Sequence, residues 1–176
     1  MVVNSNSSIA TLTATSNTTV ERSGDPFLET GGAIQDQSWT INNMTGGNIT
    51  FSRSFTGSPS FPLMLVIVVT GQSPTSPVDA QTPTAAAASL IAFGSAFTCA
   101  SITTSVNNEL LLSISNMDEG GTLTAGTTPQ PMTVVNTGSG IDGASEWGTA
   151  VTAGSNTVGW NYNNTAGSLC EVMAVH

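Results

Sequence analysis

The chain contains no lysine, two arginines (Arg22 and Arg53), one histidine (His176), two cysteines (Cys99 and Cys170) and one tyrosine. Charged side chains make up 7 % of its 176 residues, against roughly a quarter in an ordinary soluble domain. Each shortage removes a class of function. Nucleic-acid binders need a basic footprint to displace counterions, and two Arg against 11 acidic residues, a formal net charge of −9, supply none. The same charge repels an anionic membrane surface. Two Cys and one His are too few for a Cys/His zinc site. His176 is the last residue, where a catalytic triad would not be held rigidly, so a Ser or Cys nucleophile lacks a base. The longest apolar run, Phe61 to Val69, is half a membrane span and suits a buried strand. The N-terminal stretch MVVNSNSSIATLTATSNTT has neither a basic n-region nor an apolar h-region. The chain is therefore expected to fold in the cytosol and stay soluble.

What remains is hydroxyl and glycine: 22 Ser, 27 Thr and 18 Gly. The hydrophobic share of 39 % suffices for one core, since a chain of this length buries roughly 70 % of its unfolded surface. β-branched residues in short alternating runs, punctuated by Gly, Pro and Asn, predict strands at Ile9–Thr13, Leu90–Phe97, Ser101–Val106, Glu109–Ser115, Met132–Asn136, Glu146–Thr152, Thr157–Tyr162 and Leu169–Val175. Trp39–Asn43 and Ile49–Phe55 read as a hairpin across Thr45-Gly46-Gly47. Phe61–Thr70 reads as the central buried strand, Gly71–Thr84 with its three Pro as a long loop, and Ala85–Ser89 as one helical turn. Asn116–Gly121 reads as a turn, and Asn163–Gly167 as a hairpin loop joining the last two strands. Strands at this spacing predict an all-β fold, an antiparallel, jelly-roll-like β-sandwich over residues 27–176, entered by a more polar N-terminal arm over residues 1–26.

From residue 65 onward the chain carries VIVVTGQSPTSPVDAQTP, then SITTSVNNELLLSIS, and closes on AGSNTVGWNYNNTAGSLCEVMAV. These segments resemble a Ser/Thr-rich β-sandwich module of phage virion proteins and some bacterial surface proteins. There a buried strand leads into a Gly-to-Pro-Val/Ile-Asp loop (here Gly71 to Asp79), an Asn-Glu-Leu-Leu strand follows (Asn108 to Leu111), and an Ala-Gly turn (Ala153-Gly154) precedes the closing strands. The resemblance implies a structural or attachment role and brings no catalytic residue with it. It also reconciles a surface suited to the outside of a cell with the lack of an export signal, because virion proteins fold in the host cytoplasm and leave on lysis.

Other constellations are weaker. Asp118-Glu119 and Asp142 with Glu146 are loop-like carboxylate pairs without an EF-hand spacing. Val158, Trp160 and Tyr162 alternate and share a core face, whereas Trp147, beside Gly148, is the best exposed ring. In a protein folded in the cytosol, Cys99 and Cys170 are expected to be reduced thiols. The expected function is a non-enzymatic virion subunit, an outer-capsid decoration (cement) protein, with no cofactor and no metal. Its partners are the major capsid protein or other virion subunits, with homo-trimers expected. Arg22, Arg53 and Trp147 are its candidate interaction residues. The alternative is a tail-fibre, adhesin or carbohydrate-binding module. A pilus subunit would need an export signal.

Overall fold

A computed structural model of the chain describes residues 2–5, 9–21, 27–28, 35–59, 63–73, 75–82, 96–117, 121–137, 143–150, 152–164 and 168–176. The first strands are β1 (Val2–Ser5), β2 (Ile9–Ala14), β3 (Val20–Glu21), β4 (Phe27–Leu28), β5 (Gln35–Thr40) and β6 (Phe51–Phe55). Next come β7 (Leu63–Leu65), β8 (Val78–Thr82), β9 (Ala96–Thr98), β10 (Ile102–Thr104), β11 (Leu110–Met117) and β12 (Leu123–Ala125). The last are β13 (Thr133–Thr137), β14 (Gly143–Thr149), β15 (Gly154–Asn156), β16 (Gly159–Tyr162) and β17 (Ser168–Val175). The fold is all-β and antiparallel, sandwich-like, with no closed barrel among the described residues. No helix among the described residues is long and apolar enough to cross a membrane.

The main sheet runs β13-β14-β11-β17-β8. Its centre is the ELLLSISNM segment. Alternation gives β11 two faces, and both are covered: from Leu111 to Met117 every residue is buried. One face presents Leu111, Ser113 and Ser115 beside Cys170, Val172 and Ala174 of β17. The sheet β12-β16-β9 covers it, and Phe97, Leu123, Trp160 and Tyr162 join the same core cluster. The opposite face carries Leu112, Ile114 and Asn116. Leu63, Leu65 and Ile67 pack there on Ile114, and Asn116 Nδ2 donates to buried Asp36 Oδ1 at 2.7 Å. This second covering layer is the sheet β3-β5-β1-β7, with β4 also on β5. β2 and β6 form a separate ribbon, as do β10 and β15.

Several expected pairings are corrected. β5 and β6 are not a hairpin: β5 pairs with β1, β3 and β4, and β6 pairs with β2. The segment between them is instead tied to the β2 end, where Thr15 N donates to Thr50 O and Thr45 N donates to Asn17 Oδ1. Nor do β16 and β17 form one. β16 lies between β12 and β9, so the chain crosses from one sheet to another after Tyr162. Phe61–Thr70 is not the central strand. Among its described residues only Leu63–Leu65 is laddered, at a sheet edge, and Val66 and Val68 are 44 % and 64 % exposed. Apolar character alone did not distinguish a strand buried on two faces from one buried on a single face. The Pro-rich loop contains β8, placed on the outer edge of the main sheet, where Pro77 just before it costs no ladder bond. Asn116 and Met117 extend β11 rather than turn. The Ala85–Ser89 turn and residues 90–95 of the Leu90–Phe97 strand lie outside the described residues. In the 1–26 segment, β1 pairs on both sides, with β5 and β7 of its own chain.

Candidate functional site

Of the residues singled out from sequence, those that are described lie on several different elements. Arg22, Asp118, Glu119 and Asp142 lie outside the described residues. Arg53 is half-buried on β6, its guanidinium 5.1 Å from the centre of the Phe55 ring, and burial lowers its pKa. Trp147 stands on β14, cross-strand from Leu112 and Thr133, with 42 % of its surface exposed. Trp39, Trp160 and Tyr162 are buried. Glu146 is not a loop carboxylate. It is fully buried in the main core, where Gly126 N donates to Oε2 at 3.0 Å, and desolvation pushes its pKa up to about 7.

The expectation of free thiols is overturned. Cys99, just past β9, and Cys170 on β17 form a disulfide across the core, with Cα atoms 5.3 Å apart. That spacing lies within the range a disulfide spans. Ser113 Oγ of β11 lies 3.6 Å from each sulfur and accepts a hydrogen bond from Trp160 Nε1 at 2.8 Å. The disulfide, the serine and the indole thus connect the covering sheet to the main one.

A polar cluster forms at the end of the main sheet where β11, β17 and β8 lie side by side. Leu110 pairs with Val175, which places Glu109 beside His176. On the other flank, Ala174 pairs with Ala80 and Val175 with Val78, so Asp79 is the extra residue of a β-bulge. Bulges re-aim side chains, and this one brings Asp79 to the cluster. Ligand atoms of Asp79, Glu109 and His176 lie within 4.8 Å of one another. His176 Nδ1 sits 2.9 Å from Glu109 Oε1. Ser105 donates to both Asp79 oxygens, from N to Oδ2 at 2.7 Å and from Oγ to Oδ1 at 2.8 Å. The Ser105 hydroxyl is the first cause holding the Asp79 carboxyl below its ordinary range, and the Ser105 N–H adds to it. His176 is far from loose. Its N donates to Pro77 O at 3.1 Å and its O accepts from Ser73 N at 2.6 Å. No spacing motif announces a cluster drawn from positions 79, 109 and 176. Its only sequence signal is the polar Glu109 abutting an apolar strand.

A second feature is an apolar groove between the main sheet and the layer of β5 and β7, with a cavity of about 160 Å³. Trp39, Met44, Phe51, Val66 and Val68 line it, and buried Glu171 is among its walls. Met44, Val66 and Val68 are exposed.

No family model, curated protein or solved structure matches the chain.

Proposed function

We propose that the chain is a non-enzymatic phage virion subunit, most simply an outer-capsid decoration protein that cements neighbouring shell subunits. The observation that carries this reading is the edge of β7. Among the described residues the strand ends its sheet, and the chain continues past it through exposed Val66 and Val68 along the groove. An open edge beside exposed apolar side chains is a site for pairing with another chain. Weak contacts of this kind become strong when many copies act together.

The reading is tested by light scattering and by copy number per particle. The full chain is expected to be a closed oligomer, a trimer, and to appear in hundreds of copies on shells. Val66→Asp with Val68→Asp is expected to give monomers that no longer co-sediment with shells, because burial of each Val is worth about 1.5–3 kcal/mol. A monomeric wild type, or a copy number of a dozen or fewer, would count against decoration.

Exposed Trp147 favours a second reading, a glycan-recognising tail or adhesin module. In that case host-surface glycans quench its fluorescence, and Trp147→Ala abolishes their binding while leaving the melting temperature within a few degrees of wild type.

A further inference from the structure

We propose that Asp79, Glu109 and His176 bind one divalent cation of the borderline class, of which Zn²⁺ is the type. Three observations converge. The first is placement: three adjacent strands deliver two carboxylates and an imidazole to one spot, and ligand atoms from all three lie within 4.8 Å of one another. Donors on a cation with bonds of about 2.0–2.2 Å sit roughly 3–4 Å apart. Side-chain rotation closes that difference, and the ladder need not move.

The second is an unmet demand. Glu109 is 2 % exposed, and its Oε2 is buried with no hydrogen-bond donor in reach among the described residues. Carboxylate oxygens of Asp79 and Glu109 lie within 4.8 Å of one another. Two carboxyl groups that face each other at such range need a proton or a cation between them. The chain has no lysine to supply the charge. His176 meets only Oε1.

The third is the chemistry of the donor set. Oxygen ligands alone would favour Ca²⁺ or Mg²⁺, but an imidazole with two carboxylates suits zinc. The His176 side chain is 34 % exposed while that of Glu109 is fully buried, so the cluster opens to solvent on one side, leaving room for water as the fourth ligand. Ser105 already orients Asp79 with two hydrogen bonds, the outer-shell support such ligands have. A bound ion would clamp the ends of β8, β11 and β17 together.

The test uses the full chain, stripped with chelator and titrated with ZnCl₂, CaCl₂ and MgCl₂ by calorimetry at pH 7.5. One Zn²⁺ per chain is expected, bound at least tenfold more tightly than Ca²⁺ or Mg²⁺. The melting temperature should rise with Zn²⁺. Asp79→Asn and His176→Ala, both at solvent-reachable positions, should each weaken Zn²⁺ at least tenfold and remove the thermal shift. Glu109→Gln should do the same, with its circular dichroism compared to wild type to verify the fold. The proposal is overturned if no ion is taken up one-to-one, which would mean the carboxyls share a proton. It is equally overturned if uptake is unchanged in Asp79→Asn and His176→Ala, or if Ca²⁺ binds best and ignores His176.

Discussion

Replacing Cys99 and Cys170 together by alanine is expected to lower stability by about 4 kcal/mol. The disulfide closes a loop of 71 positions. Cross-linking a loop of that length restricts the unfolded chain by roughly this amount. The bond also sits where the main sheet meets its covering sheet, beside Ser113 and Trp160, so losing it loosens the contact between two layers. Urea denaturation with and without reductant measures the effect, and mass spectrometry after alkylation reads the redox state directly. Coincident transitions, with two alkylated thiols in untreated protein, would show that the sulfurs are free and that the core holds without the bond.

Glu146→Gln is expected to stabilise the protein at pH 8 by about 2–3 kcal/mol and to flatten its pH dependence. Glu146 is fully buried, and its folded pKa is raised from 4.5 to about 7 by desolvation. A raised acid holds its proton in the folded state after the unfolded chain has lost it. The stability that this site contributes is therefore greatest below pH 4.5, falls from there to about pH 7, and levels off above. At 1.36 kcal/mol per unit, that loss amounts to about 3 kcal/mol. Glutamine keeps an acceptor for the Gly126 N–H and carries no charge to desolvate. Denaturant midpoints from pH 4 to pH 8 for both proteins decide it. A wild type whose contribution from this site rises with pH, or a destabilised Glu146→Gln at pH 8, would contradict the argument.

How far the sequence could be read follows from what alternation encodes. A period of two reports which side chains share a face. It therefore located β11 and put Trp160 and Tyr162 in a core. Trp147, next to Gly148, was legible as the exposed ring. Alternation does not report which strand lies alongside. The segments at Trp39 and Phe51 are both strands, yet each pairs with residues of the N-terminal segment and not with the other. An apolar run likewise cannot state how many of its faces are covered, and Val66 and Val68 ended outward. The polar cluster was illegible for a further reason. Asp79 reaches it through a bulge, Glu109 and His176 by register across a ladder, and neither device leaves a local signature. The disulfide is likewise hidden from sequence, because it depends on how near the fold brings Cys99 to Cys170 and not on the compartment of folding.

The two-faced burial of β11 also has a kinetic side. Its odd-numbered side chains serve one layer and its even-numbered ones the other. A slip by one residue would place Leu112 where Ser113 receives the Trp160 indole, and would withdraw Asn116 from Asp36. Neither outer layer can dock correctly until that alignment is settled. Both neighbours of β11, β14 and β17, are translated after it, and β8 must wait for its partner β17 until every other strand of the main sheet has been made. Such non-local closure is slow, on the scale of milliseconds to seconds. While it lasts, the Leu110–Leu112 run and the Phe61–Val69 segment stand uncovered together, which makes the nascent chain, rather than the folded protein, the form most exposed to aggregation.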